Sequence, residues 1–190
     1  GAEGKFTEET PYDPRSPYSA SKASADLLVR SYNRTFGMNT NVTRCSNNYG
    51  PYQYPEKVIP LFVTNLIQGK QIPIYGKGLN IRDWLHVTDH CRGIDLVART
   101  GRGGQIYNIG GGTELTNLDL TLRLLELFGK GEEFINPVQD RLGHDRRYSV
   151  NWEKIHQELG YQPSHSIDTH LEEIVHWYKN NEQWWRPLKK

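Results

Sequence analysis

"SPYSASKASADLLVRSYNRTFGMNTNVTRC", residues 16–45, decides the architecture. Ser16 suits the residue that caps a helix N-terminus, Pro17 suits the first helical position, and Gly37 is placed to end the helix after about Phe36. Residues 40–45 then bring β-branched side chains together and read as a short strand. The same hand-over continues along the chain. A loop dense in Asn, Gly and Pro, residues 46–57, leads to an apolar helix over 58–68 closed by Gly69, and residues 71–76 are strand-like. After a turn at 77–80, residues 82–87 alternate like a strand and 89–99 read as a helix, while 105–112 read as a strand running into a glycine loop. Thr116 and Asp119 form a capping-box-like start to a helix ending at Gly129. A short helix near 152–159 and a longer one over 167–181 complete the order. Strands alternating with helices predict an α/β fold with a largely parallel sheet. No internal repeat is visible.

Composition narrows the function classes. The chain has 190 residues, 36% hydrophobic and 24% charged, with a formal net charge of +1. That balance argues against a nucleic-acid binder whose affinity rests on phosphate neutralisation. The longest apolar stretches, such as "VIPLFV" at 58–63, fall far short of the roughly 20 residues that cross a bilayer, so no membrane association is expected. Cys45 and Cys91 lie in separate elements without a C-x-x-C pattern, and both read as buried small side chains in a protein of the reducing cytoplasm.

Within the first helix Tyr18 precedes Lys22 by one turn, so the two side chains lie one above the other on a single face. A phenol alone is a poor base near neutral pH, and an adjacent ammonium favours its phenolate. The pair then suits removal of a proton from a substrate hydroxyl. Ser19, Ala20, Ser21 and Ala23 leave room for a flat ligand. The rival reading is a solvated helix face, and spacing alone leaves both open.

Five blocks narrow the choice. "PYSASKASADLLVRSY" (17–32), "RCSNNYGPYQYPEKVIPLFV" (44–63), "IPIYGKGLNIRDWLHVTDH" (72–90), "YNIGGGTELTN" (107–117) and "DRLGHDRRYSVN" (140–151) follow in the order and approximate spacing of the dTDP-glucose 4,6-dehydratases. The chain resembles that family, of the extended short-chain dehydrogenase/reductase superfamily, from about Phe6 to Asn181. "NNYGPYQYPEK" and "DRLGHDRRY" discriminate best, because the Tyr-Lys and "RDW" patterns also occur in related epimerases and decarboxylases of uridine-diphosphate sugars.

The resemblance implies a partial Rossmann-like parallel sheet with a smaller C-terminal α/β substrate-binding lobe. It places residues 1–55, with about 80–110 returning, in the NAD-binding part, and about 56–80 and 111–190 in the lobe. It implies NAD as cofactor, dTDP-glucose as substrate and a homodimer formed through the Tyr-Lys helix, with Leu27, Leu28, Val29 and Tyr32 as candidate surface. Tyr18 and Lys22 become the catalytic pair and cofactor contacts, joined on the nicotinamide side by Asn48. Arg82 and Arg141 become contacts to phosphate or ribose, a role that suits the planar two-donor fork of arginine. Pro73, Ile74 and Tyr75 become the shelf for the base, and Asn47, Lys57, Val58, Asn117 and His144 further substrate contacts. The implied reaction oxidises glucose at C4, eliminates water across C5 and C6, and returns hydride to C6.

Plain structural roles compete at each position. Arg82 can pair with Asp83 or Glu56, His144 can be a solvated loop histidine, Asn47 and Asn48 can serve a turn, and Lys57 can be a surface residue. Asn117 can simply open its helix and residues 73–75 can be a half-buried strand. His86 and His90 are four apart but lack a third ligand at suitable spacing, so no metal is expected. Trp177, Tyr178, Trp184 and Trp185 read as packing of the small lobe. The family's elimination acid and base belong to a T-D-E motif, and neither that motif nor a Gly-rich dinucleotide turn occurs here. Glu3, Glu8, Glu9 and Asp13 do not replace it. The chain is therefore expected to begin midway through a larger domain and to be inactive when isolated.

Overall fold

The first helix forms where its capping residues dictate. In the computed structural model, which describes residues 4–140 and 143–189, helix α1 spans Pro17–Phe36. Ser16, in extended backbone, accepts the Ser19 N–H through its side chain, and Gly37 closes the helix with a left-handed φ of 64° that costs glycine little. The remaining elements are strands β1 (Val42–Cys45) and β2 (Asn47–Tyr49), α2 (Val58–Ile67), β3 (Ile72–Tyr75), β4 (Ile81–His86), α3 (Val87–Thr100), β5 (Ile106–Ile109), β6 (Thr113–Thr116), α4 (Asn117–Leu127), β7 (Ile135–Val138), β8 (Arg147–Tyr148), α5 (Glu153–Leu159), α6 (Ile167–Asn180) and α7 (Glu182–Trp185). The capping box at α4 is complete. Thr116 Oγ1 accepts the Asp119 N–H while Asp119 accepts the Thr116 N–H.

The strands pair in three sheets and not in one. β1 runs parallel to β5, β3 runs parallel to β7, and β4 sits between β2 (parallel) and β6 (antiparallel), with β8 also parallel to it. The expected parallel character holds in every pair but β4–β6. That pair departs because β6 follows the glycine loop at 110–112, which folds the chain back onto β4. Gly111 makes this turn possible: a Cβ there would fall 1.8 Å from the Trp84 carbonyl oxygen. Pro73 and Pro137 sit in the two-stranded β3–β7 sheet, where a missing N–H does not interrupt a continuous ladder.

Two apolar clusters fix these elements. The larger gathers Tyr49, Ile59, Phe62, Trp84, Leu120, Leu124, Ile174 and Trp185, among others, beneath α2, α4 and α6. The smaller holds Leu85, Val97, Tyr107, Ile109, Ile155 and Tyr161, so α5 packs beside β5 and α3. Trp185 is fully buried and donates its Nε1–H to the Tyr178 carbonyl at 2.8 Å. Trp177 and Trp184 hold the ring of Tyr52 at 4.7 and 5.3 Å between centroids. The tryptophans therefore pack the C-terminal helices, as expected. By contrast, no residue of α1 is buried. No described helix is long and apolar enough to cross a membrane.

Candidate active site

Tyr18 and Lys22 stand one turn apart on α1, and Tyr18 is 74% exposed. Of the two, Lys22 is close enough to the end of β1 for its charge to reach Cys45. Burial pushes the Cys45 thiol up from its ordinary value, opposed by a bond from the Asn48 amide and, less strongly, by the Lys22 ammonium. Asn48 Nδ2 lies 3.5 Å from Cys45 Sγ and donates to the Ser46 carbonyl at 3.1 Å, while Oδ1 meets His90 Nδ1 at 2.9 Å. Lys22 and Asn48 are thus brought together around Cys45. Both cysteines are free thiols, but only Cys45 is half-buried; Cys91 is exposed on α3, whose outward face it occupies, and is not the buried residue expected.

A second group assembles across β3, β4 and β8. Arg82 donates through Nη1 to the Ile81 carbonyl at 2.7 Å and through Nη2 to the Asp145 carbonyl at 2.9 Å. Neither expected carboxylate takes it: Glu56 pairs with Lys57 at 3.0 Å, and Asp83, pointing to the opposite face of β4, accepts from Ser46 Oγ and from the Gly111 N–H. Tyr75 is 39% exposed at the end of β3, its ring 6.3 Å from that of His144. His144 is not a solvated loop residue. Its Nδ1 meets Asp140 at 2.6 Å, and only 6% of its side chain is exposed. His144, Asp140, Lys77, Arg146 and Arg147 line a cavity of about 570 Å³. Arg141 lies outside the described residues.

The other predicted positions take mixed places. Asn47 and Asn48 belong to strand β2, opposite Trp84 and Leu85 of β4, and so are not turn residues. Lys57 caps α2 through backbone alone and Val58 begins that helix. Pro73 and Tyr75 point away from the core while Ile74 is buried in it. Asn117 opens α4 and donates its N–H to the Asn80 carbonyl, a structural role in its own right. Glu8 is similarly committed, accepting the Asn108 N–H at 2.9 Å.

One side chain ties the two groups together. Tyr148 of β8 pairs with Arg82 in the β4 ladder and donates its hydroxyl to the Cys45 carbonyl at 3.1 Å. Burial pushes its phenol up to about 12, so it acts as a neutral strut and not as an acid or base. Asp83 braces the same corner from below, and burial pushes its carboxyl up despite the bonds from Ser46 and Gly111. His86 and His90 do not converge: His86 caps α3 and stacks on His165 at 4.4 Å, whereas His90 turns to Asn48. Among the described residues no cluster of three His, Cys, Asp or Glu is arranged to hold a metal.

The GDP-mannose 4,6 dehydratase family model matches residues 1–174. The chain belongs to that family. Within it, the chain is 57% identical to a dTDP-glucose 4,6-dehydratase of Streptomyces antibioticus over 187 residues, 98% of this chain and 56% of that protein. The fold superposes with a TM-score of 0.96 on DesIV, a dTDP-glucose 4,6-dehydratase from Streptomyces venezuelae solved with NAD bound; identity is 55%, covering 98% of this chain and 58% of that one. A more distant likeness, TM-score 0.89 at 26% identity over 94% of this chain and 57% of the other, is to a UDP-glucuronic acid 4-epimerase from Bacillus cereus in complex with its sugar nucleotide and NAD. The chain thus spans little more than half the length of the dehydratases it matches. Family membership agrees with the α/β class and parallel strand pairing read from the sequence.

Proposed function

We propose that these residues supply the substrate lobe and the proton-transfer pair of an NAD-dependent dTDP-glucose 4,6-dehydratase. The observation that supports this reading is the Tyr148 strut, which ties the β4–β8 ladder that carries Arg82 to the Cys45 corner, where the Asn48 amide and the Lys22 charge both act. An anion anchor and a hydroxyl-activating pair held at fixed separation suit a sugar between a diphosphate and a redox centre. The 57% identity to a dehydratase against 26% to an epimerase favours the dTDP-sugar reading. Residues 1–55 with about 80–110 form the cofactor side, about 56–80 and 111–190 the substrate lobe, with α5 leaning on the former.

The residues present fit the cofactor: the Lys22 ammonium and the Asn48 amide by Cys45, with the Tyr18 phenol one helical turn from Lys22, suit a ribose and a carboxamide. Held by Tyr18, Lys22 and Asn48, NAD would supply a reversible hydride acceptor for the hexose. Tyr18, with Lys22 one helical turn away, takes the proton of the C4 hydroxyl. Oxidation at C4 acidifies the C5 proton and so opens loss of water across C5 and C6. Arg82 and Arg141 hold the diphosphate, and Arg82 comes to it with one edge already fixed by the Ile81 and Asp145 carbonyls. Tyr75 and Pro73 offer the base an apolar shelf, anchored to the core by Ile74 between them, and His144, Asn117, Asn47, Lys57 and Val58 complete the contacts. Leu27, Leu28, Val29 and Tyr32 of α1, 51%, 61%, 36% and 46% exposed, form the surface of a homodimer. The protein works in the cytoplasm.

Calorimetric titration tests this directly. dTDP should bind more tightly than UDP, and Arg82→Ala should weaken dTDP binding by about 10- to 100-fold, the loss of a charge-assisted bond. Equal affinity for the two nucleotides would favour the epimerase-like reading. Indifference to Arg82→Ala would remove the phosphate assignment.

A further inference from the structure

The Asn48 amide is held on three sides, and its orientation can be deduced. Nδ2 faces the Ser46 carbonyl at 3.1 Å, an acceptor only, so the amide cannot be flipped without setting two oxygens against each other. Oδ1 therefore faces His90 Nδ1, 2.9 Å away, and that nitrogen must carry the proton. The other Nδ2 hydrogen is directed to Cys45 Sγ at 3.5 Å. Both amide hydrogens are thus engaged within the protein, and the lone pair left on Oδ1 is what Asn48 has to offer. Ser46 is itself fixed, its N–H bonded to the Ile109 carbonyl at 3.1 Å and its hydroxyl to the buried Asp83 carboxyl. The brace is built from residues far apart in sequence, His90 lying 42 positions from Asn48.

We propose that His90 is a positioning residue: as the Nδ1–H tautomer it pins the Asn48 amide so that an oxygen lone pair, and not an N–H, is presented to the cofactor. This rests on the assignment of Asn48 to the nicotinamide side. An acceptor at that place selects a donor on the ligand, such as the N–H of a carboxamide, and disfavours a carboxylate in its stead. His90 stays neutral because its burial lowers its affinity for a proton. The neutral tautomer with hydrogen on Nδ1 is the less common one for a free imidazole, so its presence needs the Asn48 oxygen as partner.

The test compares NAD with nicotinic acid adenine dinucleotide, which carries a carboxylate where NAD carries its carboxamide, by equilibrium binding to the full-length protein. The unmodified protein should prefer NAD. His90→Phe, which keeps a ring but removes the donor, should cut that preference about threefold to tenfold, the worth of one neutral hydrogen bond. His90→Asn, whose amide nitrogen takes the place of Nδ1, should restore it; a merely space-filling His90 would give the opposite ranking. Nitrogen-15 NMR of the unmodified protein should find the hydrogen of His90 on Nδ1, and finding it on Nε2 overturns the proposal without recourse to any variant. An unchanged preference in His90→Phe overturns the proposal while an effect of Asn48→Ala on NAD binding preserves the assignment of Asn48. Indifference to Asn48→Ala overturns both.

Discussion

Tyr18→Phe in the full-length protein should lower kcat by about 10²- to 10⁴-fold, the range general acid–base groups contribute, while KM for the nucleotide sugar changes only a few-fold. The expectation follows from where the hydroxyl stands. Tyr18 is 74% exposed on a helix with no buried residue, so removing one oxygen costs the fold almost nothing. On the proposed reading, binding energy should come chiefly from the guanidinium groups and the shelf at Tyr75. The variant should therefore bind substrate and cofactor and fail at proton removal from the C4 hydroxyl. Steady-state kinetics beside a binding titration separates the two. A variant that oxidises C4 at the unmodified rate would show that another group serves as base.

Asp89→Ala should destabilise the fold by about 3–5 kcal/mol, as breaking a buried charged pair does, and lower Tm by roughly 6–20 °C for a chain of this size. Asp89 is fully buried in the first turn of α3. One oxygen accepts from Ser164 Oγ and Arg92 Nη1, the other from the Ser164 and His165 N–H groups, all at 2.7–2.8 Å. Alanine would strand these donors and release the segment that leads into α6 from α3. Desolvation pushes the Asp89 carboxyl up, but the bonds from Ser164 and His165 outweigh it and hold the group below the usual carboxylate range. Its contribution is therefore present above about pH 4 and lost as pH falls through the lower folded value. His86 acts earlier on acidification. Burial, and the neighbouring His165, lower its proton affinity, so below about pH 6.5 the unfolded chain takes up a proton that the folded one resists. Other groups near His86 divide: His170 opposes its charging, whereas Asp89 and Glu173 favour it. Thermal melts carried from pH 7 to well below pH 4 should fall in two stages, one through the His86 range and one below about pH 4, and Asp89→Ala should weaken the later one.

Legibility in the sequence followed the range of the interactions. Ser16, Pro17 and Gly37 bounded α1, and Thr116 with Asp119 started α4, because capping is settled within a few residues. The strands β1, β3, β4 and β5 were legible, whereas β2, β6, β7 and β8 were not. β2 is three residues inside an Asn- and Gly-rich stretch, β7 contains a proline, β8 has two residues, and each owes its existence to the strand beside it. The single sheet expected from alternation gave way to three for the same reason, since pairing partners are set by tertiary packing. At the site, the one-turn spacing of Tyr18 and Lys22 could be read directly. The supporting residues could not: Asp83 reaches Ser46 across 37 positions and Tyr148 reaches Cys45 across 103. Asp83 carried one signal, its place beside Arg82 in "RDW" at the edge of an apolar strand, where a carboxylate must find buried donors.

The most direct measurement follows a deuterium label placed on C4 of the glucose in dTDP-glucose. With the full-length protein, hydroxyl activation by Tyr18 and Lys22 opposite a bound redox cofactor predicts a 4-keto-6-deoxy product that carries the deuterium on C6. Deuterium released to water, or left on C4 of an epimerised sugar, would contradict it.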